Sequence, residues 1–323
     1  MINCLAAEVL YDIFKFTSIE QIISLSQSSQ QMRVKTHQYT RSKIHRLLAR
    51  FMGDQGEEVR RMMRWAGTGL AGKAVKAVTE PEAHGHIEAL TELNFFTTAN
   101  PAAEAAFLFM GSGYTVVEEH HTTHFRKFTL FRDGRTVNVY GDLDGSAFAT
   151  VAKGCDSSMF TVMTADSIIT PYASSLFSNV CVHNFNSNNI VNNEGDGITT
   201  MLPSVCPLLG GRCGRSAWCP RTMRTGDDTH FLHWRFDYSF DDGGEEDLNR
   251  EKRWLGMDVL WRLGCEEGAG CSTTDAISPI EIVARGLLPN LTPTNFELED
   301  HDNTELIEML VGEEALTDMF DVV

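Results

Sequence analysis

Two short stretches carry side chains whose types and spacing could do chemistry. The first is Gly141-Asp-Leu-Asp-Gly145, in which Asp142 and Asp144 form a carboxylate pair. Paired carboxylates can hold a divalent metal ion that activates an attacking oxygen. The flanking glycines are also typical of a turn, so a solvated turn is the alternative.

The second stretch is Glu118-Glu-His-His-Thr-Thr-His124. On a helix, His120 and His124 would share a face and could ligate one metal ion. The stretch lies between predicted strands, however, where positions four apart are about 13 Å apart. None of the eight cysteines forms a Cys-x2-Cys pair, so we expect mostly thiols. We therefore predict no metal site among these residues.

A glycine-rich segment, Gly67-Thr-Gly-Leu-Ala-Gly-Lys-Ala74, comes close to a phosphate-binding loop. Position 74 is alanine, which lacks the hydroxyl that such a loop uses to hold magnesium. The segment before it does not have the pattern of a buried strand. We expect a turn here that leads into the segment from Ala74 to Val78.

The elements that must position these residues are clearest between residues 100 and 140. The dipeptide Asp133-Gly134 separates Phe125–Phe131 from Thr136–Tyr140, and it tolerates the positive φ of a tight hairpin turn. A helical pattern over Pro101–Met110 precedes the hairpin. We predict an α+β protein with a mixed α/β core.

Composition and charge restrict the function. The chain has 323 residues, is 42% hydrophobic and has a net charge of −17. Residues 1–76 carry a net charge of +6 and the rest −23. Such an acidic body would repel phosphate backbones, so we expect no nucleic-acid binding except through the basic segment Arg33–Lys76. With no run of 18 apolar residues and no secretory signal, we expect no membrane association and an intracellular address, cytoplasmic or nuclear.

Two short amphipathic helices are predicted at the start, the second capped by Thr17 or Ser18. Their spacing resembles that of an F-box over roughly the first 35 residues, with Ala6 at the usual proline. The resemblance implies docking on a Skp1-type adaptor of a ubiquitin ligase; packing on the chain's own main domain is the alternative. The apolar residues of this expected partner face are Leu5, Val9, Leu10, Ile13, Phe14, Ile22, Ile23, Leu25 and Met32.

A further resemblance covers roughly residues 67–180. The turn Gly67-Thr68, the segment Glu92-Leu-Asn-Phe95, the pair Gly113-Tyr114 and the hairpin are similar to a fungal F-box-like protein with a degenerate nucleotidyltransferase-like domain. Such a domain places two or three carboxylates on adjacent strands to hold two metal ions. The matching positions here are Glu92, Asn94 and Asn138, which supply one carboxylate.

These patterns predict a non-catalytic intracellular protein-interaction module, and the F-box resemblance implies a substrate adaptor with an unknown target protein. One alternative is a nucleotidyltransferase that uses Glu92 with Asp142 or Asp144, magnesium and a nucleoside triphosphate, with Gly67 and Thr68 at the nucleotide. Another is a regulator that acts through the acidic C-terminal segment, which holds 10 Asp/Glu and no Lys/Arg.

The predicted organisation is an F-box-like helical region at 1–52, a nucleotidyltransferase-like core at 53–185, a polar linker or loop at 186–203, a β-rich completion of the core at 204–296, and an acidic amphipathic tail at 297–323.

Overall fold

A computed structural model describes residues 6–82, 85–121, 125–142, 147, 151, 160–173, 180–182, 199–201 and 232–237. Its helices are α1 (Ala7–Phe14), α2 (Ile19–Ser28), α3 (Gln30–Met52), α4 (Gly56–Ala66), α5 (Lys73–Thr79), α6 (His86–Ala89) and α7 (Ala99–Gly111). Its strands are β1 (Gly69–Ala71), β2 (Glu92–Thr98), β3 (Thr115–His121), β4 (Phe125–Arg132), β5 (Arg135–Asp142), β6 (Val162–Met163), β7 (Ser167–Thr170), β8 (Val180–Val182), β9 (Thr199–Met201) and β10 (Leu232–Arg235).

The strands form an eight-stranded mixed sheet in the order β10-β7-β6-β1-β2-β5-β4-β3. β2 and β5 pair in parallel, and α7 follows β2 in the crossover between them. The other pairs within this sheet are antiparallel. The fold is thus mixed α/β, as the sequence predicts.

One face of the sheet forms the core with the helices. Alternate residues of β2 and β5, such as Leu93, Phe95, Val137 and Val139, are fully buried. α7 packs on β2, β4 and β5. The buried side chains of α1 to α4 belong to the same hydrophobic cluster as the sheet residues. The helices of residues 1–52 therefore share the core of the main domain.

The hairpin is confirmed. Asp133 and Gly134 have φ values of 49° and 75°, and Arg132 pairs with Arg135 across the turn. Because both central residues have positive φ, the turn matches the right-handed twist of the flanking strands. The predicted helix before it is also confirmed, as α7.

The entry of α2 is confirmed too, with Ser18 as the capping residue. Its hydroxyl accepts from the backbone N–H of Gln21, and the Gln21 side chain accepts in return from the backbone N–H of Ser18. These two reciprocal hydrogen bonds satisfy two backbone N–H groups that have no carbonyl acceptor within the helix.

The sequence pattern also predicts one longer basic helix over residues 39–65, and this prediction is wrong. The helix is interrupted at Gly53, whose φ of 57° ends α3. A 3-10 turn (Gly53–Gln55) then leads into α4. The basic side chains were expected on the outside, but Lys43 and Arg60 are buried. Lys43 donates from Nζ to the carbonyl of Glu80 at 2.7 Å.

Arg60 is the centre of a buried ion network. Its Nε donates to the carbonyl of Ala165 at 2.9 Å. Its guanidinium also donates to Asp166 at 3.1 Å and to Asp237. Arg64 makes two further bonds of 2.8 Å to Asp166. The network joins α4 to the β6–β7 turn and to the residues after β10.

The later part of the chain gives one confirmation and one correction. A strand is predicted over Thr229–Tyr238, and β10 forms within it, with Trp234 and Phe236 buried. Within the predicted linker or loop at 186–203, residues 199–201 instead form β9, which pairs in parallel with β8, and the rest of that range lies outside the described residues. The acidic segment 297–323 lies outside the described residues.

Within the described part of the chain, no helix has the length and apolar character that a bilayer crossing requires.

The ring of Phe109 on α7 is fully buried, with its centroid 5.2 Å from that of Phe95 and 5.8 Å from that of Tyr114. We expect Phe109→Ala to lower the free energy of unfolding by about 3–5 kcal/mol, because it leaves a cavity in the core. Phe107→Ala is the matched control on the same helix, since Phe107 is 68% exposed. It should change stability by less than about 0.5 kcal/mol. Equal losses in urea titrations would contradict this packing.

Burial lowers the pKa of Lys43 from 10.5 to about 8. Between these values the unfolded chain binds this proton and the folded chain does not, so the contribution of Lys43 to stability rises with pH. Between pH 8 and pH 10, we expect the free energy of unfolding of the wild type to gain about 1 kcal/mol per pH unit relative to Lys43→Met. The control is Lys35→Met on the same helix, where the side chain is only partly buried. Parallel curves for the wild type and Lys43→Met would refute the assignment.

Candidate functional site

The face of the sheet opposite the helices carries a polar trio of Glu92, Asn94 and Asn138. Glu92 and Asn94 are two positions apart on β2, so they point to the same face. Asn138 lies on β5 directly opposite Asn94 in the parallel register. The structure therefore brings together the three residues that the nucleotidyltransferase-like resemblance puts at the carboxylate positions.

The amide of Asn138 bridges the other two members of the trio. Its Nδ2 donates to Oε1 of Glu92 at 2.8 Å and to Oδ1 of Asn94 at 2.9 Å. Asn138 is buried, whereas Glu92 is exposed. One amide nitrogen thus holds two oxygen acceptors on the neighbouring strand.

Aromatic and charged side chains surround the trio on the same face. The rings of Tyr140 and Phe96 stack, with centroids 4.9 Å apart and planes 9° apart. Lys127 Nζ lies 5.7 Å from the centroid of the Tyr140 ring. Burial raises the pKa of Tyr140 to about 12, and the nearby carboxylates of Glu92 and Glu118 add to this shift. The Tyr140 hydroxyl is therefore protonated at neutral pH.

The trio offers little to a metal ion. Asn94 and Asn138 put neutral amides where a two-metal centre needs carboxylates. The donor nitrogen of Asn138 points at both oxygens that a cation would otherwise bind. Among the residues that the structure describes, no group of three or more His, Cys, Asp and Glu side chains could hold a metal ion.

The structure does not bring together Glu92 and Asp142, the carboxylates of the alternative nucleotidyltransferase site. Glu92 pairs with Thr136, and Asp142 pairs with Thr98, so the two acids lie at opposite ends of the paired strands. Six positions along a strand correspond to about 20 Å, which is too far for one metal site. Asp144 lies outside the described residues.

Gly67 and Thr68, the candidates for nucleotide binding, have structural roles here. Gly67 ends α4 in the left-handed conformation. Thr68 is fully buried, and its hydroxyl lies 3.6 Å from the sulfur of Met62. They lie next to the end of β2 that is far from Glu92, because β1 and β2 are antiparallel. Gly72, and not Gly67, is the glycine beside the polar trio. It follows Ala71, which pairs with Asn94, and its φ is 72°.

The prediction that the histidine stretch lies between strands is wrong for its described residues. Glu118 to His121 belong to β3, where His120 pairs with Lys127 and His121 with Arg126 of β4. Their side chains are exposed. His124 lies outside the described residues.

The fold buries some residues of the expected partner face at the start of the chain and leaves others exposed. Leu10, Phe14, Ile22, Ile23 and Met32 are buried in the chain's own core, and Leu25 is partly buried against it. Their inclusion in a partner face is therefore corrected: in this conformation they hold α1, α2 and α3 together. Leu5 lies outside the described residues.

Val9 and Ile13 remain exposed, each at 46%, and Phe16 just beyond α1 is 73% exposed. Val9 and Ile13 belong to the predicted partner face, whereas Phe16 does not. The signal for Phe16 was its position: residues 9, 13 and 16 follow the i, i+4, i+7 spacing of one helical face. We call these three side chains the α1 strip.

No family model, curated protein or solved structure matches this chain. The functional argument therefore depends on the geometry of its own residues.

The bridging role of Asn138 can be tested with the same substitution at two facing positions. Asn138→Asp removes the donor and places a carboxylate against two acceptors, so we expect it to lower the free energy of unfolding by about 2 kcal/mol at pH 7. Asn94→Asp keeps an acceptor at the same place, and we expect a loss below about 1 kcal/mol.

The difference between the two variants should shrink towards pH 4, where the introduced carboxyl at position 138 becomes protonated and can donate again. Urea titrations at the two pH values measure this. Equal losses for both variants at pH 7 would show that Asn138 does not bridge the strands.

Proposed function

We propose that this chain is a non-catalytic intracellular protein-interaction module of the F-box type. In this proposal the α1 strip docks on a Skp1-type adaptor, and the sheet domain presents a target protein. The observation that carries the proposal is the exposure of Val9 and Ile13 on one side of α1, and of Phe16 in the turn just beyond it, while the other side of α1 is buried.

The spacing of the strip supports a helix-recognition mode. Anchors at i, i+4 and i+7 are those with which an amphipathic helix contacts an apolar groove. Leu10 and Phe14 anchor the other side of α1 in the core. Because that side is fixed, the strip is presented to a partner without rearrangement of the fold, which lowers the entropic cost of binding.

The polar trio supports the non-catalytic part of the proposal. Two-metal catalysis needs several carboxylates that converge on the metal ions. The trio has one carboxylate, and the Asn138 amide satisfies it within the chain. This arrangement stabilises the pairing of β2 with β5 and uses the Glu92 carboxylate as a hydrogen-bond acceptor between the strands.

The adaptor proposal is tested by co-purification of the full chain with a Skp1-type adaptor. We expect Val9→Asp/Ile13→Asp to abolish retention, because two charges cannot be buried in an apolar contact. Val117→Asp is a matched control, since Val117 is 60% exposed on β3. It should be retained like the wild type.

Both charges are introduced at exposed positions, so the fold should survive, which circular dichroism can verify. Absence of retention for the wild type, or equal retention of all three proteins, would refute the adaptor proposal.

A further inference from the structure

A cleft lined by arginines lies between the end of α3, α6 and the β4–β5 hairpin. Its volume is about 550 Å³, within the range of small-molecule sites. α3 contributes Arg46 and Arg50, and the hairpin contributes Arg132 and Arg135. Glu88 is the acidic side chain among the described residues that line it. The cleft is thus strongly cationic in a chain whose net charge is −17.

The arginines are placed at spacings that cost stability. Arg46 and Arg50 are four positions apart on a helix, where like charges repel. Arg132 and Arg135 are direct cross-strand partners, where like charges also repel. Glu82 pairs with Arg46 and offsets part of this repulsion. An anion in the cleft would relieve the remainder at both pairs.

Several guanidinium donors in the cleft have no acceptor within the described part of the chain. Nε of Arg46 and Nε of Arg132 are buried without a hydrogen bond; the latter lies 3.9 Å from the Asp133 carboxylate. Arg50 uses its Nε on the carbonyl of Leu90 at 2.9 Å, which leaves its two terminal nitrogens. The Arg135 side chain makes no hydrogen bond or ion pair with any described residue.

Arg132 is held in place before any ligand binds. Its two terminal nitrogens donate to the carbonyl oxygens of Phe51 and Ser112, and its guanidinium lies 4.5 Å from the centroid of the Tyr114 ring. A fixed arginine loses little entropy when it binds an anion. The hairpin wall of the cleft is therefore preorganised.

We propose that this cleft binds a small anion that carries two or more phosphate groups. The arginine fork matches phosphate oxygens, and a ligand with charge at both ends can meet the α3 pair and the hairpin pair together. No aromatic ring is among the described residues of the lining, so recognition depends on charge and not on stacking with a base. This site is independent of the α1 strip and of adaptor binding.

Calorimetric titration of the full chain with inorganic tripolyphosphate at constant ionic strength tests the proposal. We expect saturable binding, weakened about tenfold or more by Arg135→Gln, because the variant loses charge-assisted hydrogen bonds. Arg61→Gln is the matched control: it removes the same charge from an exposed position on α4, outside the cleft. It should bind within about twofold of the wild type.

The Arg135 side chain has no hydrogen-bond or ion-pair partner among the described residues, so its variant should remain folded; the unfolding midpoint without ligand verifies this. Arg50→Gln, on the opposite wall, provides a second variant with the same expectation. The proposal is overturned if the wild type does not bind tripolyphosphate, if Arg61→Gln weakens binding as much as Arg135→Gln, or if sulfate binds as tightly, which would show a site for any single anion.

Discussion

The burial of Arg60 is the constraint on which the arrangement of helices and sheet depends. A guanidinium removed from water is stable only if its charge and its donors are satisfied. Arg60 meets this condition with the carbonyl of Ala165 and the carboxylates of Asp166 and Asp237. These groups come from the β6–β7 turn and from the segment after β10. The helical layer and the distal half of the sheet therefore fix each other's position.

Local elements could be read from the sequence because their causes are local. The hairpin follows from Asp133-Gly134, and the start of α2 follows from Ser18 with Gln21. Each depends on a backbone conformation or a cap that one or two residues determine. The break at Gly53 was missed, because a glycine inside an apolar pattern does not reveal its φ.

Long-range relations were harder to infer. The arginines of α3 and α4 have the spacing of a solvated face, and only the distant acids make burial of Arg60 possible. The polar trio was anticipated as a set, but its hydrogen bonds depend on the parallel register of β2 and β5. The same register separates Glu92 from Asp142. The arginine cleft was not anticipated, because its two walls are about 80 residues apart in sequence.

The trio and the cleft show two uses of polar groups in one fold. At Asn138 the amide donates to two oxygen acceptors within the chain, so these hydrogen bonds form without a ligand. At Arg135 the charge is not matched within the described residues, although the position near the hairpin turn keeps it hydrated. The first arrangement stabilises strand register, and the second keeps binding capacity at a modest cost in stability.

The sequence separations within the Arg60 network determine when its hydrogen bonds can form during synthesis of the chain. Ala165 and Asp237 follow Arg60 by 105 and 177 residues. At about 5–20 residues per second, a ribosome adds Asp237 roughly 10 to 35 s after Arg60. During this interval Asp237 is absent, so the Arg60 guanidinium lacks one of the two carboxylates that make its burial stable. The ion network that joins α4 to the far part of the sheet can thus close only after β10, the last described strand, has been synthesised.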